Sequence, residues 1–315
     1  MTVLRAVRPL VATAVAVALG GVSLAAQVRP ANAAAPARAA ADTAWLRRTL
    51  DSLVAGHHGV VGYAVHDLET GARIGARADE PFPTASLIKV PILVTLFGLV
   101  EHGSISLDDE LTMLRIDKVP GSGQLQHLHD GLRITVRDAA WLMTTLSDNT
   151  ATNLILDKVN ILRVASAMDS LGLHRTRLHH KVFLRAISSV APDSSLKYQL
   201  GVTTPNEMAG LFARLARGQA VNPRADSVML DILAHNEDWT LLQRSLTGLV
   251  SPHKTGADDG MRTECALWTL PDRVVACVLT KQNVDLRWTF DNEAEVLMGR
   301  MGEAIVRAFR REGAH

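Results

Sequence analysis

The segment Thr84-Ala85-Ser86-Leu87-Ile88-Lys89-Val90-Pro91 carries the pattern from which the fold of this chain can be predicted. Side chains three positions apart on a helical turn share a face, so the Lys89 amine can reach the Ser86 hydroxyl. A serine hydroxyl becomes a good nucleophile only when a base removes its proton, and lysine can act as that base only while uncharged. Apolar neighbours such as Leu87 and Ile88 favour the uncharged amine by desolvation. Taken alone, the tetrapeptide is more typical of a surface serine beside a lysine, so the wider sequence must decide.

Two further short motifs follow along the chain. Ser147-Asp148-Asn149 lies where one predicted helix ends and the next begins, and Asn149 can cap the second helix. Lys254-Thr255-Gly256 lies near the start of a predicted strand, where the glycine lets a ligand approach the backbone closely. Three motifs in this order, on these element types, are not expected by chance.

In this order the three motifs resemble the signature of class A β-lactamases and penicillin-binding proteins. The resemblance covers most of the chain that follows the first forty residues. Other stretches that are similar to landmarks of this superfamily are residues 62–71, 82–86, 147–153 and 203–205. The sequence is therefore identified as a member of this superfamily of serine hydrolases, which form an acyl-enzyme on the serine of the first motif.

The resemblance implies a role for each motif residue. Ser86 is the nucleophile and Lys89 its base. Ser147 passes a proton to the leaving nitrogen, with electrostatic help from Lys254. The resemblance also implies the groups that bind the substrate. Asn149 holds the side-chain amide of the substrate, and Lys254 and Thr255, with Gly256, bind its carboxylate. The backbone N–H groups of Ser86 and Ala257 form the oxyanion hole. Each donor of such a hole contributes about 3–4 kcal/mol to transition-state stabilisation.

The order of predicted elements favours an α+β fold. Strands occur near both ends of the chain with helices between them, which predicts one antiparallel sheet assembled from the two termini. By the resemblance, this sheet has five strands flanked by helices. We expect an α/β lobe formed by residues 42–83 and 223–315 and an inserted all-α lobe formed by residues 84–222. The active site is expected in the cleft between the lobes.

One part of the superfamily pattern is missing. In class A β-lactamases an acidic residue in the loop before the counterpart of residues 203–205 activates the water that releases the acyl group. Between Leu171 and Val202 this chain has no glutamate, and its only acid is Asp193. Glu207 is the nearest glutamate, but its position in a capping box accounts for it. We therefore expect ready acylation and slow release, with a DD-peptidase, an esterase or an acylated β-lactam sensor as alternatives.

The beginning of the chain has the pattern of a secretory signal peptide. Arg5 and Arg8 precede an apolar run at residues 10–26, and Ala31-Asn32-Ala33 supplies the small residues that a signal peptidase needs. Residues 1–33 are thus predicted to be a signal peptide and residues 34–41 a linker. An uncleaved membrane anchor is the alternative. We expect a secreted or periplasmic protein, monomeric and without stable membrane association after cleavage.

Composition limits the partners. The 315 residues carry a formal net charge of +1, and aromatic residues make up 4%. Neither a basic surface for nucleic acid nor an aromatic platform for bases is indicated. The expected partner is a small-molecule β-lactam or a substrate that resembles a cell-wall peptide, and no cofactor is expected.

The cysteines and histidines leave fewer possibilities. Cys265 and Cys277 flank a predicted hairpin turn and can face each other across two strands, either as a disulfide or as two small core residues. The histidine pairs at 57–58, 127–129 and 179–180 have no spacing that is typical of a metal site. We interpret them as solvated loop histidines and expect no metal.

Overall fold

The computed structural model describes residues 42–310, so the predicted signal peptide and linker lie outside the described residues. The helices are α1 (Thr43–Ala55), α2 (Lys89–Glu101), α3 (Val136–Thr145), α4 (Asn149–Val159), α5 (Ile161–Ser170), α6 (Arg185–Ser188), α7 (Pro192–Tyr198), α8 (Pro205–Ala216), α9 (Pro223–Ala234) and α10 (Glu293–Arg310). The strands are β1 (Val60–Asp67), β2 (Arg73–Ala76), β3 (Phe82–Pro83), β4 (Glu110–Met113), β5 (Leu132–Thr135), β6 (Arg177–Leu178), β7 (Gly201–Thr203), β8 (His253–Asp258), β9 (Met261–Thr269) and β10 (Arg273–Lys281).

One five-stranded sheet joins the two ends of the described chain. Its strand order is β2-β1-β10-β9-β8, and every neighbouring pair is antiparallel. β1 pairs with β10 along its whole length, with Val60 opposite Lys281 and Asp67 opposite Val274. The predicted α+β fold, with a five-stranded antiparallel sheet built from both chain ends, is confirmed.

The two faces of the sheet enter different hydrophobic clusters. Because side chains alternate along a strand, Tyr63 and Trp268 point to the face covered by α1 and α10. Leu267 and Leu279 point to the opposite face, where α8 packs and where the larger cluster continues into the central helices. Both faces are covered, so the central strands are buried along almost their entire length.

The two cysteines form a disulfide between neighbouring strands. Cys265 of β9 lies directly opposite Cys277 of β10, and their sulfur atoms are bonded. This decides between the two possibilities that the sequence left open. Both residues are fully buried on the sheet face that α8 covers, so the disulfide also fills core volume.

The inserted segment is not purely helical, contrary to the expectation of an all-α lobe. Its central helix α2 is buried over residues 89–97, as expected for the middle of a helical cluster. Two short ladders accompany the helices: β4 pairs with β5, and β7 joins β3 to β6. In β4, buried Leu111 and Met113 alternate with exposed residues, a period-2 pattern that is typical of a strand with one buried face.

A threonine cap begins α8, as the sequence predicts, but the partner of Glu207 is different. The Glu207 N–H donates to Thr204 Oγ1 at 3.1 Å. The Glu207 carboxylate does not close a capping box; it accepts hydrogen bonds from Arg175 N and from Thr176 Oγ1 at 2.7 Å. Glu207 therefore ties α8 to the segment before β6, a tertiary contact that local spacing does not reveal.

None of the helices within residues 42–310 combines the length and the apolar character needed to cross a membrane.

Two helical glycines offer a matched test of packing. A Cβ atom at Gly302 in α10 would lie 2.0 Å from the Leu242 carbonyl oxygen, whereas one at Gly98 in α2 would meet nothing within 4 Å. We expect Gly302→Ala to destabilise the fold by at least about 2 kcal/mol, because a backbone clash forces α10 to move. Gly98→Ala should stabilise by up to about 1 kcal/mol through helix propensity. Thermal unfolding measures both, and equal shifts of the same sign would contradict this account.

Candidate active site

A cavity of about 1060 Å³ brings most of the motif residues together. The sequence-predicted residues that line it are Ser86, Ser147, Asn149, Thr255, Gly256 and Ala257. The two remaining ones, Lys89 and Lys254, are buried behind this lining, with 1% and 0% of their surfaces exposed. Segments that are remote in sequence thus converge on one site.

Ser86, the predicted nucleophile, lies on a single helical turn, Ala85–Ile88, between β3 and α2. Ala85 has a φ of +43°, a region that non-glycine residues rarely occupy, so the backbone immediately before Ser86 is strained. Buried Leu87 and Ile88 anchor the turn in the core. The Thr84 carbonyl accepts a hydrogen bond from Thr263 Oγ1 at 2.9 Å, which fixes the turn to β9. These contacts hold Ser86 at the cavity wall.

Gly256 is required by the protein's own backbone. A Cβ atom there would lie 2.5 Å from the Thr84 carbonyl oxygen and 2.8 Å from the Leu87 nitrogen. The sequence suggested that this glycine gives a ligand access to the backbone. In the structure it lets β8 pack directly against the nucleophile turn.

The Lys89 amine is hydrogen-bonded to the second motif. Its Nζ lies 2.6 Å from the Ser147 carbonyl oxygen, 3.0 Å from Ser147 Oγ and 3.0 Å from Asn149 Oδ1. Within residues 42–310 these are the hydrogen bonds of Lys89, and Ser86 Oγ is not among its partners. Burial first, and then the charge of Lys254, lower the pKa of Lys89 well below that of an exposed lysine. Burial thus favours the uncharged amine over the ammonium.

The second motif forms the corner between α3 and α4. Ser147 has a φ of +55°, and its backbone carbonyl accepts from Lys89 and from Ser122 Oγ. The residue that caps α4 is Asp148 and not Asn149, because Asp148 Oδ1 accepts from Ala151 N at 2.8 Å. Asn149 begins the helix, and its side chain joins Lys89 to the Pro120 carbonyl. Asn149 is thereby oriented along the cavity wall.

Lys254 lies in a set of compensating charges. Burial is the main cause that lowers the pKa of Lys254, to about 8, while Asp238 and Glu264 act in the opposite direction. Burial alone would raise the pKa of Asp238, but hydrogen bonds from Thr240 and Thr255 and the charge of Lys254 together outweigh it, so this pKa is lowered. Asp238 also lines the cavity, so one acid faces the residues that are expected to bind a carboxylate.

The segment between Leu171 and Val202 contributes one wall of the cavity. The side chains that line it from this segment are His180, Val182, Phe183, Arg185, Leu196, Gln199 and Leu200. No acidic residue is among them. Asp193 lies exposed in the first turn of α7 and is not part of the cavity lining. The acid that the superfamily places in this loop therefore has no counterpart in this wall.

The interpretation of all loop histidines as solvated is wrong for part of the set. His127 and His129 are exposed, as expected. His179 and His180 are buried, with 1% and 6% of their surfaces exposed, and the His57 side chain is 1% exposed. Backbone carbonyls accept from these rings in the loop, a pairing that spacing alone cannot show. Across residues 42–310, no group of three or more histidine, cysteine or acidic side chains is placed to hold a metal ion.

Sequence reasoning missed several other wall residues, which are Gly121, Ser122, Asn236, Glu237, Asp238 and Trp288. They lie on loops that have no motif of their own. The charged run Asn236-Glu237-Asp238 just after α9 is the one signal that the sequence contained.

A cavity serine that follows a strained residue, two buried lysines and a second cavity serine, on this fold, are the features expected of the serine β-lactamase and penicillin-binding protein superfamily. Residues 45–309 match the Beta-lactamase enzyme family, and the chain belongs to that family.

Individual relatives agree with this assignment. Beta-lactamase L2 of Stenotrophomonas maltophilia is 28% identical over 250 residues, which cover 75% of this chain and 76% of that protein. A solved β-lactamase from Sphaerobacter thermophilus is 27% identical with a TM-score of 0.75, over 86% of this chain and 99% of that one. The solved structure of PBP-A is 28% identical with a TM-score of 0.74, over 85% and 97% of the two chains.

The Asp148 carboxylate offers a test of how the second motif is held. Its Oδ2 accepts from Gln124 N at 2.6 Å and Leu125 N at 2.9 Å, while Oδ1 accepts from Ala151 N. Asp148→Asn leaves one accepting oxygen and turns an amide N–H toward a backbone donor, so we expect a loss of about 1–3 kcal/mol. Urea unfolding measures the loss. The exposed control Asp193→Asn should change stability by less than about 0.5 kcal/mol, and equal effects would contradict the assignment.

Proposed function

We propose that this protein is a serine hydrolase that opens the amide bond of β-lactams through an acyl-enzyme on Ser86. The observation that carries the proposal is the shared cavity of Ser86, Ser147 and Thr255, with Lys89 buried against Ser147. Relatives named as β-lactamases support the substrate class. A mutant of PBP-A was solved as an acyl-enzyme complex with penicillin G, which supports the covalent intermediate.

The proposed acylation step requires Ser86 Oγ to come within hydrogen-bonding distance of the Lys89 amine, a contact that is not among the hydrogen bonds of Lys89 within residues 42–310. Ser86 Oγ attacks the carbonyl carbon of the substrate while its proton passes to the uncharged Lys89 amine. The amide C–N bond then breaks, and the leaving nitrogen takes a proton from Ser147 Oγ. Because Ser147 Oγ lies 3.0 Å from Lys89 Nζ, the lysine can return that proton to the serine. The backbone N–H groups of Ser86 and Ala257 stabilise the oxyanion, and Asn149 holds the side-chain amide of the substrate.

The carboxylate of the substrate is assigned to Lys254 and Thr255. Lys254 has its Nζ 2.9 Å from the Thr255 carbonyl oxygen, so its charge lies at the strand edge beside the cavity. Asp238 offsets part of this charge, which favours a weaker hold on anionic substrates than an unpaired lysine would provide.

Release of the acyl group is expected to be the slow step. No acidic residue of the segment between Leu171 and Val202 lines the cavity, and Asp193 is exposed outside it. The same observation favours a second candidate, an enzyme of this superfamily that acts on cell-wall peptides or esters, or a sensor that stays acylated. Residual turnover separates the enzyme from the sensor.

We further propose that the protein is exported to the periplasm or secreted and acts as a monomer. The positive residues Arg5 and Arg8, the apolar run at 10–26 and the small residues at 31–33 support export.

Mixing the protein with an excess of a chromogenic cephalosporin should give a burst. We expect one equivalent of product per enzyme, followed by a slow steady phase, because acylation is intact while the acid of the release step is absent. Mass spectrometry should locate the adduct on Ser86. Ser86→Ala should abolish both burst and adduct, and Asp193→Asn should leave the steady phase unchanged. Many rapid turnovers would refute slow release.

The titration of Lys254 predicts how substrate affinity depends on pH. The pKa of Lys254 is about 8, so the lysine is charged below that pH and becomes neutral above it. For an anionic penicillin, the apparent dissociation constant of the non-covalent complex should rise between about pH 7 and 9. For p-nitrophenyl acetate, which lacks a carboxylate, it should not. Stopped-flow acylation at several pH values measures both, and parallel curves would count against a carboxylate site at Lys254.

A further inference from the structure

One buried histidine in the acid-free cavity wall has an unused ring nitrogen. His180 lines the cavity together with Ser86 and has only 6% of its surface exposed. Its Nδ1 lies 2.8 Å from the Lys181 carbonyl oxygen, which can only accept, so Nδ1 carries the hydrogen. In a neutral imidazole Nε2 is then an acceptor. This atom is buried and has no hydrogen-bond partner within residues 42–310.

A buried polar atom without a partner is unusual, and redox or catalytic roles are among its recognised causes. An acceptor at this place requires a donor. Because Nε2 has almost no solvent-accessible surface, a water reaches it only when a neighbouring side chain of the cavity wall moves aside. His180 and Ser86 line the same cavity, so a water that reached Nε2 would share that cavity with the ester that must be hydrolysed.

The segment that carries His180 is fixed to the second motif. Asn153, on the same helix as Asn149, accepts from Val182 N at 2.9 Å and donates to the Val182 carbonyl at 3.0 Å. Lys181, next to His180, forms an ion pair with Asp157 of the same helix. α4 thus sets the position of the imidazole relative to the cavity.

Other titratable groups of this segment do not fit the same role. Both nitrogens of His179 are engaged, with the Gln199 carbonyl and with Ser194 Oγ. Asp193 is exposed and lies outside the cavity lining. Arg185 lines the cavity, but its guanidinium offers hydrogen-bond donors and no acceptor.

We propose that His180 is the general base that activates the water for release of the acyl group from Ser86. Water oxygen bonds to the ester carbonyl carbon while one water proton moves to His180 Nε2. The bond from that carbon to Ser86 Oγ then breaks, the imidazolium returns its proton to Ser86 Oγ, and a carboxylic acid product leaves. Bonds and protons balance without a further reactant. The inference rests on the proposed acyl-enzyme and adds a residue for its second half.

The test follows the decay of a preformed acyl-enzyme. The protein is acylated with penicillin G, excess drug is removed, and intact mass is followed over time. His180→Asn keeps an N–H that can donate to the Lys181 carbonyl and removes the Nε2 acceptor. We expect its adduct to persist at least about 100-fold longer, the usual contribution of a general base, with the acylation rate within about threefold of the native protein. The control His174→Asn, an exposed histidine of the same segment, should behave as native.

Chemical rescue separates a base from a merely structural residue. His180→Gly leaves space for a free imidazole, so added imidazole should accelerate release from this variant at least about tenfold more than from the native protein. Adducts on the native protein and on His180→Asn that decay equally fast would overturn the inference and leave the proposed function intact. An absence of any rescue would overturn it as well. Failure of penicillin G to label Ser86 at all would overturn the proposed function and, with it, the inference.

Discussion

The Thr263 hydroxyl connects the sheet to the nucleophile. Its Oγ1 lies 2.9 Å from the Thr84 carbonyl and 3.2 Å from the Gly256 carbonyl, so one side chain bridges the turn before Ser86 and the strand of the third motif. Only a glycine at 256 permits this approach. The left-handed Ala85 is held in place by the same packing. Everything that the site does depends on Ser86 staying at this edge, because the oxyanion donors are expected from both sides of the contact.

Two buried lysines, Lys89 and Lys254, determine the proton-transfer and charge properties of the site, and their burial is energetically unfavourable. A buried ammonium is unfavourable unless it is paired, and proteins commonly respond by lowering its pKa. Lys89 has three hydrogen-bond acceptors at the second motif, whereas Lys254 has the ionised Asp238 and the buried Glu264 nearby. The different surroundings suit different tasks. Lys89 is poised to exchange protons, and Lys254 retains a charge near neutral pH.

Much of the fold and of the site could be predicted from the sequence, because the three motifs report local geometry. Ser86 and Lys89 lie one helical turn apart, and caps such as Thr204 fix where helices begin. What could not be predicted depends on tertiary neighbours. The disulfide needs the register of β9 and β10, the Glu207 carboxylate turns to Arg175 and Thr176, and the burial of His180 follows from the path of a loop. Composition and spacing contain none of this.

Acylation and release are supported by different parts of the structure. The acylating groups lie where α2, β8 and the α3–α4 corner meet, in the packed interior. One wall of the cavity belongs to the segment before β7. Asn153 and Asp157 of α4 hold this segment through contacts with Val182 and Lys181, which lie outside the junction of the acylating groups. A change in this segment can therefore alter the release step without moving Ser86 or Lys89. This separation allows a chain to keep every motif for acylation while the wall formed by residues 171–202 carries the His180 imidazole and no acid, so we expect the lifetime of the acyl-enzyme to be the property most sensitive to this segment.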